Sequence, residues 1–131
     1  MSTTQNPTDA RNPQTSPNEL AQLAQDQSDL VRQAVAKHPR VPVRVLTRLA
    51  RDQDFWLRLA VAENPQTPVE GVNRLAQEAS LRSVILEGLS KRSVEALCEL
   101  AEQASPALAQ IMVAYHKEHP LPLQLTLPAL K

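Results

Sequence analysis

Leucine, valine and alanine recur along this chain in a fixed register. Leu20, Leu46 and Val72 stand 26 residues apart, and the pairs Leu23-Ala24, Leu49-Ala50 and Leu75-Ala76 keep the same period. Leu20, Leu23 and Ala24 fall at i, i+3, i+4, as do Leu46, Leu49 and Ala50, so each set forms one apolar stripe on a helix. Val31, Ala34 and Val35 repeat that spacing, which predicts a second helical segment in each unit, expected to be the shorter of the two. Two helices of this size cannot bury their apolar stripes alone. Neighbouring units must stack, and the pattern predicts an all-α solenoid.

Polar positions follow the same period. Asn12-Pro13, His38-Pro39 and Asn64-Pro65 mark one step of each unit, and Asp26, Asp52 and Glu78 follow the Leu-Ala pairs two residues on. Val31-Arg32 and Leu57-Arg58 come next, matched after a two-residue deletion by Leu81-Arg82. Ala34-Val35-Ala36, Ala60-Val61-Ala62 and Val84-Ile85-Leu86 close the units. A fourth copy is eroded. Leu97, Leu100-Ala101, Gln103 and Met112-Val113-Ala114 fit it, but Gln110 stands where the arginine belongs and the Asn-Pro step is lost at His116-Lys117. Terminal units deviate because they cap the stack. The expected solenoid therefore holds three to four degenerate repeats over residues 12–117.

Helix starts are punctuated. Ser16-Pro17-Asn18-Glu19 and Thr67-Pro68-Val69-Glu70 each read as N-cap, proline at the first helical position and glutamate at the third, a capping box. Ser28 and Asp54 suit the starts of second segments, and Ser105-Pro106 that of the last. Residues 1–11 are polar and aperiodic, so a disordered segment is expected there. Residues 118–131 alternate leucine with other residues and carry three prolines, which predicts an extended tail. It either covers the last helix face, the favoured reading, or docks on another protein.

Composition narrows the picture. Aromatics are only 2% of the 131 residues, so the core must be built from leucine, alanine and valine in closely packed helices. Eleven prolines against two glycines suit helix starts rather than hairpin turns. Cys98 is the single cysteine, which excludes an internal disulfide and a cysteine-built metal site and fits a reducing compartment. No apolar run approaches a membrane span, and the first residues lack the apolar stretch of a secretory signal, so a cytoplasmic location is expected. Net charge is zero but uneven, with −3 over residues 1–30, +5 over 31–58 and −2 over the remainder. A neutral total disfavours a general nucleic-acid binder, while the basic middle leaves a local anionic contact open.

Val31-Arg32-x-x-Val35-Ala36-x-His38-Pro39 recurs as Leu57-Arg58-x-x-Val61-Ala62-x-Asn64-Pro65-x-Thr67-Pro68, each after Leu-x-x-Leu-Ala-x-Asp. This motif resembles the leucine-rich-repeat variant (LRV) family of bacteria, from about residue 10 to 90 and weakly to 117. The resemblance implies α-helices alternating with short second helices, often 3₁₀, wound into a right-handed superhelix without sheet. It implies no enzymatic activity. A family member carries a cysteine-bound iron–sulfur cluster ahead of its repeats, but no cysteine precedes the repeats here and no cofactor is expected.

Three sets of residues are candidates for function. Arg32, Arg58 and Arg82 could clamp phosphates or carboxylates along one face. The favoured reading pairs them with Asp26, Asp52 and Glu78 as a structural ladder that holds neighbouring units together, because matched acids and bases are what a stacked repeat needs. Arg44, Arg48 and Arg51 fall at i, i+4, i+7 on one helix face and could contact nucleic acid or an acidic protein, or form a solvated face. Phe55 and Trp56 adjoin in an aromatic-poor chain, with Trp56 the expected surface anchor because Leu57 already fills the apolar position beside it.

Catalysis has no foothold. His38, His116 and His119 lack zinc-ligand spacing, no Ser-His-Asp or Cys-His pairing is suggested, and Gly71 and Gly88 alone make no phosphate loop. An Asp54-Trp56-Arg58 site acting on DNA would need a longer chain to wrap the duplex. The expected function is a non-catalytic adaptor or scaffold that binds another protein, with no membrane partner and no metal. The alternatives are a nucleic-acid-associated module using the basic face and a structural protein that self-associates through its ragged C-terminal unit.

Overall fold

The computed structural model describes residues 10–119. In chain order the helices are α1 (Pro17–Leu23), α2 (Asp29–Lys37), α3 (Val43–Leu49), α4 (Phe55–Glu63), α5 (Val69–Leu75), a 3₁₀ turn (Ala79–Leu81), α6 (Arg82–Leu89), α7 (Val94–Gln103) and α8 (Pro106–Glu118). Among the described residues there is no strand. Second helices pack on one another in sequence, α2 on α4, α4 on α6 and α6 on α8. First helices form the other layer, where α3 contacts α5 and α5 contacts α7. This is an all-α repeat stack of helix pairs.

The core runs between the layers through every unit. Leu20, Leu46, Val72 and Leu97 are buried from the first layer, and Val31, Leu57 and Leu81 from the second. Val35 and Val61 sit beside them in the same buried row, continued by Ile85. Each leucine or valine of the 26-residue register therefore has its counterpart one unit on as a packing neighbour, which gives the stack a single contiguous interior.

Second helices are the longer ones here. They run to nine residues in α2 and α4, against seven in α1, α3 and α5. The first helices are cut at both ends, because a proline stands at or next to each start and the chain turns sharply after Ala24, Ala50 and Ala76. A short 3₁₀ element appears only ahead of α6, where the two-residue deletion tightens the connection from α5.

Two of the expected capping boxes diverge. Ser16 caps α1, its Oγ accepting from the Glu19 backbone N–H at 3.2 Å. Thr67 does not cap α5, whose N-cap is Pro68. Its hydroxyl instead donates to the Val61 carbonyl at 2.6 Å, and the side chain is fully buried. Asp54 and Ser105 cap α4 and α8 through Trp56 and Leu108, while Ser28 holds the N-cap position of α2 without a side-chain bond.

The expected segment 1–11 and tail 118–131 lie mostly outside the described residues. Ala10 and Arg11 are described and helical, with Ala10 fully buried. No helix among the described residues is long and apolar enough to cross a membrane.

Candidate functional site

Two polar series stitch the units together, and both repeat at the period of the sequence. Arg32 sits in the first turn of α2, at the junction with the next unit. Its Nη1 donates to the Asp26 carbonyl at 2.7 Å, within its own unit. Its Nε donates to Asp52 Oδ2 at 3.1 Å in the following unit, and Asp29 takes a further bond from Nη2. Arg58 repeats this one unit on. Nη1 reaches the Asp52 carbonyl at 2.8 Å, while Nε and Nη2 hold Glu78 Oε2 and Oε1 at 2.8 and 3.0 Å. Each guanidinium thus ties the interhelix turn of its own unit to the acid of the next. Burial disfavours the charged form of Arg32, but the Asp52 and Asp29 carboxylates outweigh it and raise its pKa. For Arg58 the bond to Glu78 leads in raising the pKa.

Arg82 departs from the series. It keeps the bond six residues back, Nε to the Ala76 carbonyl at 3.2 Å, but pairs with no carboxylate among the described residues. Gln103 occupies the place where a fourth acid would stand, so the charge pairing ends at Glu78.

The second series runs through the Asn-Pro steps. Asn12 Oδ1 accepts from the Gln14 backbone N–H at 2.9 Å, and Asn64 Oδ1 from that of Gln66 at 2.8 Å. His38 takes the same part, its Nδ1 accepting from the Arg40 N–H at 3.0 Å. That bond fixes the hydrogen on Nε2, which donates across the junction to the Asn12 carbonyl at 2.7 Å. Asn64 Nδ2 makes the corresponding crossing to the Ala36 carbonyl at 2.8 Å.

Two of the three exposed large hydrophobic side chains among the described residues lie on second helices of the first two units. Among the described residues the exposed large hydrophobic side chains are Leu30, Val43 and Trp56, at 61%, 56% and 64%. Leu30 and Trp56 are 26 residues apart, the same repeat position on the adjoining helices α2 and α4. Phe55 is half-buried, packs edge-on against Trp56 at 5.5 Å and lies 5.8 Å below the Arg58 guanidinium. Nothing in the spacing alone distinguished Leu30 from a core leucine. Its counterpart at Trp56 was the signal that both face outward.

Arg44 and Arg48 stand exposed on α3, and Arg51 follows its end. Arg48 and Arg51 line a groove together with Asp26 and Asp52, and Arg51 lines a second with Asp29, Asp52 and Asp54. The basic helix face is thus edged by carboxylates. Among the described residues, no group of three or more histidine, cysteine, aspartate or glutamate side chains is arranged to hold a metal ion.

The model of the Leucine Rich Repeat Variant domain matches residues 4–54. Over that stretch the chain is similar to the Leucine Rich Repeat Variant family. No curated protein and no solved structure gives a significant match. The geometry of the matched units continues beyond residue 54, because Arg58 and Glu78 reproduce the bonds of Arg32 and Asp52. What fades in the third and fourth units is the sequence signature. The two-helix packing itself persists.

Proposed function

We propose that this chain is a non-catalytic interaction module that binds another protein through the second helices of its first two units. The observation that carries this is the outward placement of Leu30 and Trp56 at one repeat position. A repeat position is normally buried or polar in a stack, and two large apolar side chains exposed at the same position of adjoining helices mark a contact surface. The basic face at Arg44, Arg48 and Arg51 suits a nucleic-acid backbone less well, since the carboxylates beside it offset its field over a few ångströms. Self-association through the C-terminal unit has no comparable support, as none of the exposed large hydrophobics lies on α7 or α8.

The test is affinity capture by the intact chain from lysate of its source cells, with nuclease present, beside a Leu30→Ser/Trp56→Ser variant. Protein retained by the native chain and released by the variant supports the module. Capture that vanishes with nuclease moves the site to the α3 face and overturns the reading.

A further inference from the structure

Two grooves lie along the second helices of the first units. A groove of about 270 Å³ between the first two units is lined by Leu30, Ala34 and Pro39, with Arg11 and Lys37 at its rim. The next, of about 430 Å³, is lined by Ala60 and Pro65, with Lys37 and Glu63 at its rim. Lys37, His38 and Pro39 line both, so the two adjoin. Two polar side chains of the walls are already committed. His38 spends both ring nitrogens on Arg40 and Asn12, and the Asn64 amide is bound to Gln66 and Ala36. The charges are not committed. Among the described residues Arg11 and Lys37 pair with no carboxylate, and Glu63 pairs with no cation.

We propose that this edge binds an extended peptide segment of another protein, with its apolar side chains seated in successive grooves and its charges ordered against those of the rim. The proposal rests on the interaction-module reading and names the partner class. Packed helices lie about 10 Å apart, and an extended chain advances roughly 3.3 Å per residue. Apolar side chains of the peptide should therefore recur about every third residue. Arg11 and Lys37 flank the first groove and call for aspartate or glutamate there, whereas Glu63 beyond the second calls for lysine or arginine. The ligand pattern is acid, then two apolar residues at a three-residue interval, then base.

The experiment is selection of a tryptophan-free library of random twelve-residue peptides displayed on phage, against the full chain and against Lys37→Glu/Glu63→Lys. Both substituted side chains are exposed, and far-ultraviolet circular dichroism checks that the variant keeps its helices. Peptides from the native chain should share the apolar pair with acids on one side and a base on the other. The exchanged variant should move the acid to the opposite side of the pair. A fluorophore-labelled synthetic representative should bind the single variant Lys37→Gln at least tenfold more weakly than the native chain, read by fluorescence anisotropy. Absence of an enriched pattern, or a pattern indifferent to the charge exchange, overturns the peptide proposal. If Leu30 and Trp56 still govern capture of protein from lysate, the module reading survives and a folded partner replaces the peptide. If that capture also fails, both readings fall.

Discussion

Arg58 closes on Glu78 with both Nε and Nη2, twenty residues along the chain, while its Nη1 holds the Asp52 and Gln53 carbonyls. Four hydrogen bonds converge on one half-buried guanidinium, and one of its targets lies in the next unit. The pair therefore belongs to the junction rather than to either helix pair. Its loss should loosen the contact between units without disturbing the helices themselves.

Glu78→Gln should lower stability by about 1–3 kcal/mol, because an amide presents only one acceptor oxygen to a fork that needs two. Asp52→Asn should cost a similar amount at the preceding junction. Urea unfolding monitored by circular dichroism measures both. A double-mutant cycle with Arg58→Gln should return a coupling for Glu78 but none for Asp29, which bonds Arg32 in the other junction.

His38 does the work of an asparagine, and this gives a substitution with an unusual sign. His38→Asn should fall within about 1 kcal/mol of the native chain, since Asn64 makes the same two bonds at the next junction and an asparagine at 38 would find the Ala10 carbonyl where Asn64 finds that of Ala36. His38→Leu fills the space but leaves the part-buried Arg40 N–H and Asn12 carbonyl without their partner, at a cost of about 1 kcal/mol or more. Thermal unfolding of the two variants separates a hydrogen-bonding role from a packing one.

Thr67 and Gly71 are locked together. A Cβ added at Gly71 would come within 2.9 Å of Thr67 Cγ2, and the Thr67 hydroxyl, bound to Val61, keeps that methyl from rotating away. Gly71→Ala should therefore destabilise the chain by about 1–3 kcal/mol despite the better helix propensity of alanine. Thr67→Ser removes the methyl and keeps the hydroxyl. Added to Gly71→Ala, it should recover most of the loss, and chemical denaturation of the single and double variants checks this.

Why the sequence disclosed some of this and hid the rest follows from the range of each interaction. Apolar stripes such as Leu20, Leu23 and Ala24 are local, and their period reveals both helix and repeat. Arg32 and Asp52 are each visible in the register, but which acid an arginine meets depends on how units stack, and the partner proves to be the one a unit ahead. Thr67 shares the Ser16 pattern of Thr-Pro-x-Glu, yet its unit brings the Val61 carbonyl within reach, and a buried acceptor outcompetes a solvent-accessible helix start. Leu30 reads as core by composition alone. In the sequence only its repeat counterpart Trp56 points outward, and the exposure of Leu30 on α2 agrees.

The last junction is held by a different device, which the loss of repeat signals concealed. Arg82 finds no acid and the Asn-Pro step is gone, but Asn73 on α5 spans the gap. Its Nδ2 donates to the Gln103 carbonyl at 2.9 Å and its Oδ1 accepts from the Ser105 N–H at 2.8 Å, clasping the turn between α7 and α8 from both sides. Arg92 adds a bond from Nη2 to the Thr67 carbonyl at 2.9 Å, with a pKa lowered by its burial. Asn73→Ala should consequently act on the C-terminal end alone. Hydrogen exchange in α7 and α8 should quicken by roughly tenfold, corresponding to about 1.4 kcal/mol of local stability. Amides of α1 to α4 should keep their native rates, because the arginine pairs at their junctions are untouched. Uniform acceleration along the whole chain would instead mean that the units unfold as one block and that Asn73 supports the stack globally.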